Sequence, residues 1–516
     1  MSVSKRKPRD YVPSGVPGLD HVLCGGFVRE GFYLLQADPG SGKTTVALQY
    51  VLGRLKAGEA CLYVTLTESR ADLEDACASH GWSMDGLQIC DLTESAANQV
   101  GEGKASVFHP SETELGETTK AILGEVERLN PRHVVFDGLA ELRLLSGDSL
   151  RYRRQLLALK HFFKKKKITV LLLDDRSSGF DDIQPESLVG ANIVMERSLP
   201  EYGKARRRLF VTKVRGANFR EGYNDYEIVD GGVVVHPRLV AAEHHERFER
   251  SSYESGIPAL DAMLAGGLTT GTTTLLLGPA GVGKSTVAMQ YVATALGKGE
   301  RAAVYTFDEV IDTLFDRSEK LCRGLSGGPR KYQADGQLHA QQIDAAELTA
   351  GAFAYEVRRV VEAGTKLIVI DSLNGYMNAM PEERFLITHL HELFAYLNQK
   401  GVITIMVVAQ HGLMVGGLSE IDVSYLADTV LLFRYFEALG AIRQAVSVFK
   451  KRTGMHQRTV RELQITEAGV SVGDPLVGFR GIMTGTPEYV GETKMMGENG
   501  GVGKGGASDA DTYVSS

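Results

Sequence analysis

The chain has 516 residues, 43% of them hydrophobic and 23% charged, a mix that suits a soluble globular protein with room for two domains. Its 57 basic and 64 acidic side chains leave a formal net charge of −7, which argues against a nucleic acid as the main partner. The five cysteines (Cys24, Cys61, Cys77, Cys90 and Cys322) form no CxxC pair, so reduced thiols in a cytoplasmic protein are expected rather than a zinc site or a disulfide framework.

Along the chain, Lys5, Arg6, Lys7 and Arg9 make residues 1–13 a basic extension, and the absence of an apolar run after them speaks against a secretory signal. The first domain is expected over 14–237. It opens with SGVPGLD (Ser14 to Asp20), then Gly25 and Gly26, then the loop Ala37-Asp-Pro-Gly-Ser-Gly-Lys43-Thr44 and a helix. The stretch Tyr63 to Ser69 carries Glu68, and the apolar strand His133 to Phe136 ends at Asp137. An amphipathic helix, Leu150 to Phe163, runs into Lys164 to Lys167. Cations at a helix end favour its dipole and solvent, and this is the preferred reading over a nucleic-acid patch. The strand Ile168 to Leu173 follows, then Arg206 to Arg208 ahead of another strand at an expected subunit interface, and TKVRGA with Lys213 and Arg215. A polar stretch makes 238–254 a linker.

The second domain, 255–490, repeats the first. SGIPALD spans Ser255 to Asp261, Gly266 and Gly267 follow, and the strand Thr274 to Leu277 leads into Gly278-Pro-Ala-Gly-Val-Gly-Lys284-Ser285 and the helix Thr286 to Leu296. The offset is 241 residues from Lys43 to Lys284 and again from Glu68 to Glu309. The strand Leu367 to Ile370 ends at Asp371, and Val402 to Val408 is another buried strand. Even the stretch to Ala409 falls far short of the ~20 residues of a membrane span. Lys450 and Arg452 lie in FKKRTG, and a Gly-, Ser- and Asp-rich tail, 491–516, is expected to be disordered. Continuously apolar strands alternating with helices predict two α/β domains of one kind, each a mostly parallel sheet with helices on both faces.

The strand–loop–helix setting makes both glycine loops phosphate cradles. Glycines let successive N–H groups wrap phosphate oxygens, and the helix start adds its dipole. The nucleotide-binding set is Gly40, Ser41, Gly42, Lys43, Thr44 and Thr45 in the first copy. In the second it is Gly281, Val282, Gly283, Lys284, Ser285 and Thr286. Thr44 with Asp137, and Ser285 with Asp371, are the expected Mg²⁺ groups, and ATP is the expected nucleotide. Glu68, and Asp308 with Glu309, stand where a carboxylate can orient a water or take a proton from a hydroxyl, although Asp308 could equally cap a helix.

These openings, loops, acids, strands and K-x-R segments together resemble the KaiC family of circadian-clock ATPases within the RecA-like superfamily, from about Ser14 to Pro487. The resemblance implies tandem RecA-like P-loop domains in a homo-hexameric double ring with ATP at subunit interfaces. It also implies slow hydrolysis in the first ring and serine/threonine autophosphorylation in the second. Lys213, Arg215, Lys450 and Arg452 then correspond to the pairs that reach a neighbour's phosphates. The family's phosphorylated Ser-Thr pair falls on Ser424 and Tyr425, so only the serine is retained. Thr67 stands where the family's first ring has the first of two glutamates, and Asp308 stands where its second ring has a glutamate. A KaiB-like regulator is a candidate partner. The tail beyond Pro487 does not resemble the segment held by a KaiA-like activator. Two other readings remain open: a RecA-like DNA-directed ATPase, and an ATP-holding scaffold with little turnover.

Overall fold

The computed structural model describes residues 9–93, 110–176, 185–201, 203–322, 325–344, 346–378, 386–410 and 424–491. The tail beyond Gly491 and the basic side chains Lys5, Arg6 and Lys7 lie outside them. The chain groups into two compact units. One runs to Leu239 and takes in Ala346–Glu356, and the other holds Val240–Ala345 and the chain from Val357.

In the first unit the near-continuous apolar runs form strands β1 (Phe32–Ala37), β2 (Cys61–Thr65), β3 (Gln88–Asp91), β4 (His133–Asp137) and β5 (Thr169–Asp175), then β6 (Ala191–Ser198), β7 (Arg206–Val214), β8 (Asn224–Val229) and β9 (Gly232–His236). They make one nine-stranded sheet in the order β9-β8-β7-β6-β1-β5-β4-β2-β3. The ladders from β6 through β1 to β3 are parallel, and those from β6 out to β9 are antiparallel. Alternation explains why the strands are apolar throughout. Tyr33, Leu35, Tyr63 and Val135 pack with the helix α1 (Lys43–Lys56), whereas Leu34, Leu62, Val64 and Phe136 pack with the helix α2 (Ser149–Lys165) on the other face.

The second unit repeats this order. Its strands are β10 (Thr273–Gly278), β11 (Arg301–Thr306), β12 (Leu338–Gln342), β13 (Thr365–Asp371), β14 (Ile403–Ala409), β15 (Thr429–Ala438), β16 (Ala441–Lys451), β17 (Val460–Thr466) and β18 (Gly469–Pro475). The sheet runs β12-β11-β13-β14-β10-β15-β16-β17-β18, which is the first order strand for strand. Both units are therefore mostly parallel α/β sheets, as the patterning predicts, and of the RecA-like kind that the resemblance implies.

The repeated opening segments have a shared geometry. Ser14 N–H donates to Asp20 Oδ1 at 2.8 Å, and Ser255 N–H to Asp261 Oδ1 at 2.7 Å, closing each seven-residue turn. The following glycine pairs let two short strands cross closely. A Cβ on Gly26 would lie 2.5 Å from the Val12 carbonyl oxygen, and one on Gly267 would lie 2.2 Å from that of Tyr253.

One local expectation shifts. Arg206, Arg207 and Arg208 are the first residues of β7 rather than a lead-in to it, because they pair with Ser198, Arg197 and Glu196 across the β6 ladder. The lysine run does end a helix, with Lys164 and Lys165 in its last turn. Four cysteines are buried, but Cys24 is exposed. Among the described residues no helix is long and apolar enough to cross a membrane.

Candidate functional site

Each glycine loop leaves the carboxyl end of the sheet's central strand and enters a helix, the edge at which open α/β sheets bind ligands. Gly40 and Gly42 have φ of 74° and 91°, and Gly281 and Gly283 have 77° and 99°. These left-handed conformations turn successive N–H groups inward, and only glycine adopts them freely. Lys43 and Lys284 begin α1 and the matching helix α3 (Lys284–Gly297), with Gly42 and Gly283 as N-caps. No side chain caps either helix, so the first-turn N–H groups stay directed at the loop. Thr44, Thr45, Ser285 and Thr286 follow in that first turn. Val282 is fully buried and anchors its loop to the core.

The first copy's acids converge on this turn. The Thr44 hydroxyl donates to Glu68 Oε1 at 3.2 Å. Asp137, at the end of β4, accepts from Tyr63 Oη at 2.7 Å and from Thr67 Oγ1 at 3.5 Å. Thr67 is thus a neutral donor to Asp137. Burial raises the Asp137 and Glu68 pKa values above the usual carboxylate range; the Tyr63 bond draws Asp137 back, and Asp137 pushes Glu68 further up.

In the second copy the Ser285 hydroxyl hydrogen-bonds Asp371 at the end of β13, and burial again raises that carboxyl. Burial also lowers Lys284 to about 8, while its ammonium donates to the Gly278 and Pro279 carbonyls at 2.8 and 2.6 Å. Asp308 accepts from the Ser372 hydroxyl. It is not a helix cap, because the helix α4 (Ile311–Leu321) begins after Val310. Glu309 is engaged on both oxygens by Arg317, at 2.8 Å each.

The two cation pairs lie elsewhere. β6 runs parallel to β1, with Ala191 opposite Tyr33 at its start and Met195 opposite Ala37 at the loop. Lys213 pairs with Asn192 and Val214 with Ala191, so Lys213 and Arg215 stand at the amino edge of their own sheet, away from their own phosphate loop. There Lys213 donates to the Glu186 carbonyl and Arg215 to that of Ser187 at 2.8 Å. Lys450 lies opposite Val430, at the start of β15, in the same relation to its sheet. Lys450 donates to the Ala427 carbonyl at 2.8 Å, and Arg452 to that of Tyr425 at 3.3 Å. The 3₁₀ turn Ser424–Leu426 is at this edge too, and Tyr425 is half-exposed.

Sequence reasoning missed the groups that hold these residues. Tyr226 Oη donates to the Ser41 carbonyl at 2.8 Å, and Tyr435 Oη to the Ala280 carbonyl at 3.2 Å. Asp175 pairs with Lys43. Its signal was visible as the acidic end of an apolar strand, which was expected to stop at Leu173.

The glycine cradles, the paired hydroxyl and aspartate beside each, and the nearby second carboxylates fit a Mg²⁺–nucleoside triphosphate. Comparison with known proteins agrees on an ATPase. A family model described as "ATPase: KaiC" matches residues 12–240 and again 253–477. The chain is 23% identical over 497 residues to the "Circadian clock protein KaiC3" of a Synechocystis species, covering 94% of this chain and 96% of that one. It is 24% identical over 495 residues to the "Circadian clock oscillator protein KaiC" of Acaryochloris marina, covering 92% and 91%. A Prochlorococcus marinus protein of the same description is 25% identical over 501 residues, covering 94% and 97%.

Proposed function

We propose the following reading for this chain, which belongs to the KaiC family of ATPases: it is a ring-forming timing or signalling ATPase that hydrolyses ATP in its first domain and phosphorylates Ser424 in its second. The domains are 14–237 and 255–490, joined by 238–254. Six copies assemble, with nucleotide between neighbours, and a KaiB-like protein is a candidate regulator.

The observation that carries the reading is the split of each site across the sheet. Loop, hydroxyl and carboxylates stand at one edge of a domain, and the cation pair stands at the other. A complete site then needs the edge of a second copy, as in enzymes whose basic finger comes from a neighbour. Bound Mg²⁺–ATP supplies the transferable phosphoryl group and neutralises its charge. Lys43 and Lys284 with the loop amides would hold the phosphates, and Thr44 with Asp137 and Ser285 with Asp371 would hold the metal. In the first domain Glu68 takes a proton from the attacking water. In the second, Asp308 takes the proton from the Ser424 hydroxyl of the neighbouring copy, and Glu309, held by Arg317, shapes the field around it. The turn that carries Ser424 lies with Lys450 and Arg452, so the acceptor and the basic pair reach the neighbour's phosphates together. Tyr425, half-exposed beside it, is the second acceptor position.

The test is native mass measurement with and without Mg²⁺–ATP, followed by phosphosite mapping of the same sample. A nucleotide-dependent hexamer with phosphate on Ser424 is expected. A parent chain that stays monomeric with both loops filled by ATP, or label confined to other residues, would refute the reading.

A further inference from the structure

The two phosphate-loop lysines face different neighbours. β5 runs parallel to β1 and brings Asp175 into register with Ala37, the first residue of the first loop. The same position in the second copy, opposite Gly278, is Ala409. A methyl group offers Lys284 no partner, and its ammonium turns to the carbonyls of its own loop. The Lys43 ammonium instead forms an ion pair with the Asp175 carboxylate. The adjacent Asp174 is buried and engaged by Arg143 at 3.0 Å and Gln36 at 3.5 Å, so it is Asp175 that turns to the loop. Of the pair, Lys43 is 15% exposed and Asp175 38%, which leaves the carboxylate on the solvent side of the ammonium.

A lysine that binds phosphate acts as a point charge, and a carboxylate seated on it meets the same need as a phosphate oxygen. We infer that Asp175 competes with the triphosphate for Lys43 and so weakens nucleotide binding in the first domain alone. This deepens the function proposed above and rests on it. An incoming triphosphate has to displace the carboxylate, which then stands as a like charge beside it. Among the described residues of the second domain, which has alanine at this position, no carboxylate forms an ion pair with Lys284. The pair thereby gives two loops that share the glycine and lysine positions different affinities.

The experiment uses the full chain carrying Lys284→Ala, so that a fluorescent ATP analogue with Mg²⁺ reports on the first loop. Asp175→Asn on that background should tighten the analogue's Kd by about five- to tenfold. An unchanged or weaker Kd overturns the competition. Lys43→Ala on the same background should abolish binding; retained binding would instead overturn the assignment of the first loop, and the competition with it. A double-mutant cycle on thermal unfolding without nucleotide reads the pair directly. Asp175→Asn should lower the first unit's midpoint by about 1–3 °C with Lys43 present and leave it unmoved once Lys43 is alanine. Equal effects in both backgrounds would also overturn the proposal.

Discussion

Glu309 and Arg317 face each other through two contacts of 2.8 Å, a fork-to-fork pair that fixes the carboxylate against the first turns of α4. Asp308, one residue earlier, is left to meet the Ser372 hydroxyl. The adjacent acids thus have different partners, a cation for Glu309 and a hydroxyl for Asp308, and the proposed function makes Asp308 the proton acceptor. Asp308→Asn should therefore reduce phosphate transfer to Ser424 by about 10²–10⁴, whereas Glu309→Gln should cost about tenfold or less. Incorporation of labelled phosphate, measured in single turnover, checks this. Equal losses in both variants would contradict the division of roles.

Loss of either phosphate-loop lysine should halve nucleotide stoichiometry, because each loop is built from residues of its own copy. Lys43→Ala and Lys284→Ala are each expected to leave one nucleotide per chain in equilibrium dialysis. Lys284→Ala should also prevent hexamer formation if nucleotide bridges subunits through the second domain. Native mass measurement in Mg²⁺–ATP reads this, and an intact hexamer of that variant would break the proposed link between binding and assembly.

Tyr63 donates to Asp137 at 2.7 Å in a fully buried setting. Tyr63→Phe removes the donor but keeps the ring, so the acid loses a partner without opening a cavity. The expected cost is about 1.5–3 kcal/mol, the range for a hydrogen bond to a charged group. The Asp137 pKa should also rise further, since burial already lifts it and the Tyr63 bond lowers it. Urea unfolding and the pH profile of first-domain hydrolysis test both parts.

Glu227 carries a pH signature of stability. Its hydrogen bond with His236, then its contact with Lys204, hold its pKa at about 2 against 4.5 for the ordinary side chain. A depressed carboxylate contributes stability that is complete above the unfolded pKa and is lost as pH falls through the folded one. The contribution is on the order of 2 kcal/mol once solvent screening is allowed for. Glu227→Gln should therefore lower the first unit's denaturation midpoint at pH 7, and the gap to the parent should narrow between pH 4.5 and 2. A gap that stays constant over that window would show that the pairing is not the source.

The sequence by itself determined the repeat, the two phosphate loops, the strand-end aspartates and the parallel α/β class. Glycine spacing and continuous apolar runs are local properties, and parallel strands buried on both faces have one composition wherever they occur. The structure alone decided which groups meet: Asp175 with Lys43, Arg317 with Glu309, Tyr63 with Asp137, and the cation pairs with the amino edge of their own sheets. These relations join residues that are distant in sequence or fix which way a neighbouring side chain turns. Most are set by the register of strands packed side by side, where a single extra residue in one ladder would turn every later side chain to the other face, and the Glu309–Arg317 pair by the helix that follows its strand. That is why the chemistry of the loops is written in short motifs, whereas the partner of each charge is a property of the folded sheet.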